Sequence, residues 1–391
     1  MDQISELLTR GVEKIYPSKE ALEKVLRSGK KLKLYQGFDP SMPSLHLGNL
    51  VGLMKLRQFQ KLGHEVIFLV GDFTGMIGDP SGKSDARKPL TREQVLKNSK
   101  SYKEQASRVL DFDGNNPTEI LYNSEWLAKL SFAELLKLSS NLTYQQVKER
   151  DMFQKREKEG KNIYLNEFLY PLMQGYDSVY MDVDLEIGGS DQLFNMMTGR
   201  DLMHKLKGKE KFVLTTKLLV DKEGDKVGKT TGNALFLDST PENFYGGIMS
   251  FPDEAIALGF ELLTEVPLEG IKDKIKKDPM GEKKRLAFEV VKLLWGENQA
   301  QKAQEEFERT YQKREIPKSI PEITVENRPL ELVDLVSGTA SVSLSEAKRL
   351  ITQGAIEIDG EQITDHHQMI TPKDNLIEKI GKTRFVRLKV K

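Results

Sequence analysis

The stretch from residue 32 to residue 70 constrains the fold more than any other part of the sequence. An apolar run at 32–35 predicts a strand, and a segment rich in glycine, aspartate and proline breaks the backbone after it. Apolar residues then recur at helical spacing up to residue 59, and residues 66–70 predict a second strand. This is the pattern of a parallel strand–helix–strand unit, which places ligands at the carboxyl ends of its strands.

Polar side chains stand at the start of that helix. His46 and Asn49 are three residues apart and therefore share one helix face, with Gly48 between them. A glycine lets a ligand approach the backbone, and helix N-termini favour phosphate, so the turn suits a nucleotide. The same residues fit a simple helix cap with a packing glycine, and these residues alone leave both interpretations open.

A second glycine-rich segment, residues 221–233, carries two lysines, Lys226 and Lys229, followed by Thr230. Its glycines and small polar residues predict a mobile loop, and its lysines suit an anionic ligand. An ordinary solvated turn has the same composition, so this segment is also ambiguous by itself.

Residues 163–181 predict a helix with a polar stripe. Tyr170, Gln174 and Asp177 are spaced four and three apart and line one face, which meets either a polar ligand or water. The turn at 188–192 follows a predicted strand at 183–187, and the carboxylate of Asp191 in that turn suits ribose hydroxyls.

The rest of the chain adds elements by the same patterns. They are amphipathic helices over 1–31, a strand at 120–123, a solvated charged helix face at 148–151 and 155–159, a last core strand at 218–220, helices over 240–315, and a helix–glycine–hairpin pattern at 342–360.

Composition limits the possible functions. A chain of 391 residues suggests two or three domains, and a formal net charge of zero argues against indiscriminate nucleic-acid binding. The absence of cysteine excludes disulfides, thiolate metal sites and a cysteine nucleophile. No signal peptide or membrane-spanning apolar run is visible, so we expect a cytoplasmic protein with no membrane partner.

Taken together, the two ambiguous motifs resemble the signature pair of class I aminoacyl-tRNA synthetases, usually written HIGH and KMSKS. His46-Leu-Gly-Asn49 matches the first motif and Lys226-Val-Gly-Lys229-Thr230 the second. Further segments are similar to the tyrosyl-tRNA synthetase family: GFDP at 37–40, GDPSGK at 78–83, EFLYPLMQGYD at 167–177 and GGSDQ at 188–192. The resemblance covers almost the whole chain in the family's order.

The resemblance implies an α/β protein with a Rossmann-like parallel-sheet catalytic domain over residues 1–238. A helical insertion at about 115–165 is expected to hold a homodimer interface. An α-helical anticodon-side domain is expected over 239–318, and a small α+β S4-like RNA-binding domain over 324–391.

The resemblance also implies the reaction and its site. L-Tyrosine is activated with ATP, accompanied by Mg²⁺ and without a protein metal ligand, and is then passed to tRNA(Tyr). The residues expected to act on the phosphates are His46, Asn49, Lys83, Arg87, Lys226, Lys229 and Thr230. Those expected to bind tyrosine are Tyr35 and Asp177 at the phenol, Asp79, Tyr170 and Gln174 at the ammonium, and Gln192 at the carboxylate. Those expected to bind ATP further include Gly37, Asp39, Gly48, Gly189, Asp191, Leu218 and Leu219. Those expected to meet RNA are Lys348, Arg349, Lys382, Arg384 and Arg387.

Some positions depart from the family's pattern. Asn49 stands where the first motif has a second histidine, Gln36 and Gly52 replace side chains near the ATP ribose, and Gly228 replaces a serine. Three rival functions are a tryptophanyl-tRNA synthetase, a non-catalytic RNA-binding paralogue and a small nucleotidyltransferase. The Tyr35–Asp177 pair argues against the first, the retained motif residues against the second, and the extra helical and S4-like segments against the third.

Overall fold

The computed structural model describes residues 2–81, 89–220, 235–312, 321–340, 342–381 and 384–391. The chain forms two compact units, Met1–Ala300 and Gln301–Lys391. Within the described residues, no helix is both long and apolar enough to cross a bilayer.

The first unit is built on a six-stranded sheet. Its strands are β1 (Val12–Tyr16), β2 (Lys33–Phe38), β3 (Glu65–Val70), β4 (Glu119–Tyr122), β5 (Leu185–Gly189) and β6 (Phe212–Thr216). The spatial order is β1-β6-β5-β2-β3-β4, with β1 antiparallel to β6 and the other neighbours parallel. The chain leaves β2 towards β3 and β4, then returns to β5 on the other side of β2. A crevice therefore opens between β2 and β5, where doubly wound sheets bind ligands.

Helices precede, connect and follow these strands. They are α1 (Gln3–Leu7), α2 (Lys19–Arg27), α3 (Leu47–Lys61), α4 (Thr74–Ile77), α5 (Arg92–Ser99), α6 (Tyr102–Ala106), α7 (Ser124–Leu127), α8 (Phe132–Ser139), α9 (Tyr144–Lys148), α10 (Asp151–Lys158), α11 (Leu165–Met181), α12 (Leu193–Lys207), α13 (Pro241–Met249), α14 (Ala255–Leu263), α15 (Ile271–Lys277), α16 (Pro279–Trp295) and α17 (Glu297–Phe307).

Burial and close packing hold the sheet and its helices in place. The β3 run of five apolar residues is buried throughout, as expected of a parallel strand covered on both faces. Helices α11 and α12 approach closely at two glycines, where a Cβ on Gly175 would lie 3.2 Å from the Gly199 Cα. This contact fixes α11, which carries the predicted polar stripe.

Two predicted elements are wrong. Residues 12–16 form edge strand β1 rather than a helix: Gly11 adopts φ +66° and breaks the helical run, and the segment then pairs with β6. The last core strand is β6 rather than 218–220, because the apolar run that starts at Phe212 is the one that pairs with β5. Residues 217–219 instead continue past the sheet edge into the site.

The charged run of α10 is not a uniformly solvated face. Arg156 is fully buried, and its guanidinium donates to both carboxylate oxygens of Glu167 at 2.7 and 2.8 Å. The prediction was wrong for Arg156 because a partner on α11 satisfies its charge, and the sequence pattern of α10 contains no sign of that partner.

The second unit has its own sheets and apolar core. Its strands are β7 (Glu322–Val325), β8 (Leu330–Glu331), β9 (Ile356–Ile358), β10 (Glu361–Gln362), β11 (Met369–Ile370), β12 (Ile377–Ile380) and β13 (Arg384–Val390), and its helices are α18 (Leu332–Ala340) and α19 (Leu344–Thr352). The sheets have the orders β10-β9-β12-β13-β7 and β11-β8. The predicted helix–glycine–hairpin is confirmed: α19 ends before Gly354, which has φ +70°, and β9 and β10 form the hairpin.

Candidate active site

A cavity of about 320 Å³ opens at the carboxyl ends of β2 and β5. The start of α3, the polar stripe of α11 and residues 217–219 also line it. All fifteen predicted tyrosine and ATP residues that the structure describes line it: Tyr35, Gly37, Asp39, His46, Gly48, Asn49, Asp79, Tyr170, Gln174, Asp177, Gly189, Asp191, Gln192, Leu218 and Leu219. Lys83, Arg87, Lys226, Lys229 and Thr230 lie outside the described residues.

The first motif is both a helix cap and part of the cavity wall. The His46 backbone N–H donates to Asn49 Oδ1 at 2.9 Å, and the Asn49 N–H donates to His46 Nδ1 at 3.2 Å. This reciprocal cap satisfies two backbone groups that helix ends leave unpaired. Because Nδ1 accepts a hydrogen bond, the neutral ring carries its proton on Nε2 and can donate from that side.

The chain on either side of the second motif lies at the first motif and the cavity. Leu47 N–H donates to Leu235 O, and Leu237 N–H donates to Leu45 O, both at 2.8 Å. On the preceding side, Leu219 belongs to the cavity lining. Both described flanks of residues 221–234 therefore meet the site built by β2 and α3.

Tyr35 and Asp177 are buried on the cavity wall. The Asp177 carboxylate accepts hydrogen bonds from Trp126 Nε1 at 2.8 Å and Asn123 Nδ2 at 3.2 Å. Burial raises the Asp177 pKa well above its ordinary value, and these two donors partly oppose that shift. The Tyr35 hydroxyl lies 2.9 Å from Ser178 Oγ, and burial raises its pKa well above its ordinary value.

The carboxylate of Asp79, another residue of the site, is held by neighbouring donors. Asp79 accepts from Gln192 Nε2 at 2.7 Å and from the Ser81 backbone N–H at 3.0 Å. Asp39 is held in a similar way, with the Tyr170 hydroxyl donating to it at 2.8 Å. The predicted polar face of α11 therefore meets the site rather than bulk water.

Two positions that depart from the family's pattern are neighbours in space. A Cβ on Gly52 would lie 2.1 Å from Gln36 Oε1, so the Gln36 amide fills the space that a side chain at 52 would occupy. The two departures therefore compensate each other sterically, and both residues line the cavity.

The sequence analysis missed several residues of the site. Glu186 lines the cavity and forms a buried ion pair with Lys211. Arg150 stacks over the Phe194 ring, with 4.6 Å from its guanidinium carbon to the ring centroid, and its Nη2 donates to the cavity residue Ser81 at 2.7 Å. Burial lowers the Arg150 pKa to about 10. Glu186 could have been found from the sequence, because it is a charged residue between apolar residues of a predicted strand. Arg150 could not, because it belongs to a charged run that predicts solvent exposure.

The predicted RNA-binding residues lie in the second unit. Lys348 and Arg349 are exposed on α19, and Arg349 forms an ion pair with Glu346 at 2.5 Å. Arg387 is half-buried on β13, 4.0 Å from Glu322. Lys382 and the Arg384 side chain lie outside the described residues.

The family model for class I tRNA synthetases of the tryptophan and tyrosine type matches residues 27–312. The model for the SYY-like C-terminal domain of tyrosine–tRNA ligases matches residues 312–384. The tyrosine–tRNA ligase of Thermotoga maritima is 42% identical over 391 residues, which cover 98% of this chain and 96% of that protein. The chain belongs to the tyrosyl-tRNA synthetase family.

Other similar proteins agree with that membership. The tyrosine–tRNA ligase of Colwellia psychrerythraea is 43% identical, with 98% of this chain and 97% of that protein covered. The crystal structure of a C-terminally truncated mitochondrial tyrosyl-tRNA synthetase from Coccidioides posadasii matches with a TM-score of 0.64 and 25% identity, over 78% of this chain and 91% of that one. The corresponding truncated enzyme from Aspergillus nidulans has a TM-score of 0.68 at 23% identity, covering 79% and 94%, and supports the same fold.

Proposed function

We infer that this member of the tyrosyl-tRNA synthetase family is a tyrosine–tRNA ligase. It activates L-tyrosine with ATP to tyrosyl-adenylate and pyrophosphate, then transfers the tyrosyl group to the 3′ end of tRNA(Tyr). The observation that carries this conclusion is the single cavity that combines the buried Tyr35 and Asp177 with the capped start of α3. The tyrosine carboxylate is already ionised when it attacks the α-phosphate. The protein therefore contributes positioning and charge stabilisation rather than a nucleophile.

We propose that Tyr35 and Asp177 bind the substrate's phenol. Asp177 is an acceptor already oriented by Trp126 and Asn123, so it can accept a hydrogen bond from the phenolic hydroxyl. Tyr35 can donate to the phenolic oxygen. Phenylalanine would leave both buried groups without that partner, an effect for which tyrosyl-tRNA synthetases are the standard example.

The polar groups around Asp79 are proposed to bind the substrate's α-carbon substituents. Asp79, Tyr170 and Gln174 offer oxygen atoms for the ammonium group. Gln192 Nε2 donates one of its two hydrogens to Asp79 in this structure, and the second can be donated to the substrate carboxylate.

The nucleotide is proposed to lie across the start of α3. The N-terminus of that fifteen-residue helix, the donor side of His46 and the open backbone at Gly48 suit phosphate oxygens. The positions of the flanks of 221–234 support a phosphate role for Lys226, Lys229 and Thr230, and we assign Lys83 and Arg87 to the same task. Asn49 supports this end as the partner of the His46 cap. ATP enters with Mg²⁺ as the substrate complex. The ribose is assigned to Asp191 and Gly189, beside Leu218 and Leu219, with Gly37 and Asp39 in the cavity floor.

The helical insertion at about 115–165 is proposed to form a homodimer interface. It exposes five large apolar side chains: Phe132, Leu136, Tyr144, Tyr164 and Leu165. A concentration of exposed apolar area of this kind is typical of a protein interface. Sedimentation of the Leu165→Asp variant tests this assignment: the wild type should be a dimer and the variant should dissociate, whereas an unaltered dimer would refute it.

Residues 324–391 of the second unit are proposed to be an S4-like module that binds tRNA. The catalytic domain is proposed to span residues 1–238, and the α-helical anticodon-side domain residues 239–318. The exposed Lys348 and Arg349 on α19 and Arg387 on β13 support contacts with RNA phosphate, and Lys382 and Arg384 are assigned to the same surface. A cytoplasmic location is proposed, because the substrate of the second step is tRNA.

Pyrophosphate exchange into ATP tests the proposed function directly. The protein is incubated with ATP, Mg²⁺ and labelled pyrophosphate, and with tyrosine, phenylalanine or tryptophan in separate reactions. Exchange that depends on tyrosine alone is the expected result. Exchange with tryptophan would assign the chain to the sister specificity, and no exchange from folded protein would indicate a non-catalytic RNA-binding relative.

A further inference from the structure

A buried ion pair lies directly beneath the proposed tyrosine subsite. Glu186 of β5 is 2% exposed and Lys211, which immediately precedes β6, is fully buried; the Lys211 ammonium donates to Glu186 Oε2. In the parallel pairing of β2 with β5, Glu186 is the register partner of Tyr35, so the two side chains stand on the same face of the sheet. Burying two charges is costly, and a buried pair is weak evidence for stability. Its position suggests a different role.

A chain of hydrogen bonds runs from Lys211 to Tyr35. Lys211 Nζ donates to Ser178 Oγ at 2.8 Å, and Ser178 Oγ lies 2.9 Å from the Tyr35 hydroxyl oxygen. The alternative acceptor for the Ser178 proton, Glu186 Oε2, is more distant at 3.4 Å. Since an ammonium group can only donate, Ser178 accepts from Lys211 and keeps its own proton for one of these two oxygens, of which the Tyr35 hydroxyl is the nearer.

The consequence for Tyr35 is that its own proton points elsewhere. The acceptors within reach are the Glu186 carboxylate and the Gln174 backbone carbonyl, and the carbonyl lies at 3.5 Å, which is at the limit of hydrogen bonding. The two Glu186 oxygens already accept from Gln174 Nε2 and Lys211 Nζ, so a phenolic oxygen placed in the cavity would give the Tyr35 proton an acceptor of its own. Bonds in a chain of donors polarise one another, so a chain that starts at a cation strengthens the final donor.

The same pair fixes a second residue of the subsite. Gln174 Nε2 donates to Glu186 Oε1 at 2.9 Å. This bond orients the Gln174 amide and leaves its oxygen to accept from the substrate's ammonium group. Space for the pair comes from Gly199, where a Cβ would lie 2.6 Å from Lys211 Nζ.

We propose that Lys211 is a positioning residue for amino-acid selection, which acts with Glu186 through Ser178 to make Tyr35 a hydrogen-bond donor to the phenolic oxygen of tyrosine. This inference rests on the proposed placement of the phenol between Tyr35 and Asp177. In the resulting arrangement the phenol accepts from Tyr35 and donates to Asp177, and phenylalanine can do neither.

The test measures kcat and KM for tyrosine and for phenylalanine by pyrophosphate exchange. The main variant is the double substitution Glu186→Gln with Lys211→Met, which removes both buried charges and breaks the chain of donors. We expect kcat/KM for tyrosine to fall about tenfold, equivalent to about 1.4 kcal/mol, mainly through KM. The amide oxygen introduced at position 186 can still accept from Gln174 Nε2, so the value for phenylalanine and the KM for ATP should stay unchanged. The tyrosine-to-phenylalanine ratio then falls by the same factor as the value for tyrosine.

A matched control separates positioning from general destabilisation. Lys55 is another buried lysine, which donates to Leu7 O, Arg10 O and Gln58 Oε1 at 2.6–2.8 Å, away from the cavity. Lys55→Met should lower the melting temperature and leave the amino-acid ratio unchanged. A folded double variant with a wild-type ratio would overturn the proposal.

Two further variants keep the test decisive. Ser178→Ala removes the middle of the chain without touching a charge, and it should lower the ratio even if the double variant fails to fold; an unchanged ratio would overturn the proposal. Tyr35→Phe tests the subsite itself. If Tyr35→Phe leaves the ratio unchanged, the placement of the phenol is wrong. If Tyr35→Phe lowers the ratio while Ser178→Ala does not, the subsite stands and the role of Lys211 is refuted.

Discussion

Asp177→Asn is the substitution for which the structure gives the clearest expected effect. The carboxylate accepts from Trp126 Nε1 at 2.8 Å and from Asn123 Nδ2 at 3.2 Å, on different oxygens. An asparagine keeps the shape and replaces one of those acceptors by an NH₂ group. That NH₂ must face one of the two existing donors, so the single remaining amide oxygen is drawn towards the other donor and away from the substrate.

The magnitude follows from the lost acceptor. A hydrogen bond to a charged group contributes about 1.5–3 kcal/mol, which corresponds to a fall of about 10- to 150-fold in kcat/KM for tyrosine. Phenylalanine has no phenolic proton, and its kcat/KM should change by less than about threefold if this is the lost interaction. The ratio of the two amino acids therefore isolates the phenolic contact from any general loss of activity.

The assay is pyrophosphate exchange with each amino acid, accompanied by thermal unfolding of the same samples. A cooperative transition close to that of the wild type would show that the buried site tolerates the amide. If kcat/KM fell equally for tyrosine and phenylalanine, Asp177 would support the site as a whole rather than recognise the phenol. An unchanged value for tyrosine would remove Asp177 from the subsite.

Three further predictions concern buried groups of the first unit. Arg156→Met should lower the free energy of unfolding by about 3–5 kcal/mol in denaturant titrations, because it leaves the Glu167 carboxylate buried without its guanidinium partner; a loss below about 1 kcal/mol would contradict this. Burial lowers the pKa of Lys55 to about 7, so between pH 7 and the ordinary lysine pKa the unfolded chain binds more protons than the folded chain. The free energy of unfolding of the wild type, relative to that of Lys55→Met, should therefore rise with pH in this range, by at most about 1.4 kcal/mol per pH unit. Equal pH dependence of unfolding in both proteins would refute that shift. Gly199→Ala should cost about 1–3 kcal/mol in unfolding free energy, since its Cβ would lie 2.6 Å from Lys211 Nζ, and a neutral effect would mean that α12 moves freely there.

Much of the site could be predicted because its residues act locally. The first motif combines a strand end, a helix cap and a glycine within a few residues, and the structure confirms the cap between His46 and Asn49 as well as its position in the cavity wall. The spacing of Tyr170, Gln174 and Asp177 placed them on one face of α11, and all three line the cavity. Helical periodicity and strand-end position are properties of neighbouring residues, so the sequence contains them.

The predictions that failed concern pairings between distant parts of the chain. Residues 12–16 have an apolar spacing compatible with a helix, but they form a strand because they pair with the edge of the sheet at β6. The charge pattern predicted a solvated Arg156, but in the folded chain α11 places Glu167 beside its guanidinium group. Burial and partner choice depend on which elements meet, and one segment's periodicity does not contain that information.

The sequence by itself determined the type of fold, the position of the candidate site at the ends of β2 and β5, and, through its motifs, the family. Only the tertiary structure decided how the site is supported: the Glu186–Lys211 pair beneath Tyr35, the Gln36 amide packed against Gly52, and the flanks of residues 221–234 set against the first motif. Motif residues recur at fixed short spacings and can be recognised along the chain. Supporting residues are selected by distance and charge in three dimensions, where Lys211 and Tyr35 lie far apart in sequence and two hydrogen bonds apart in space.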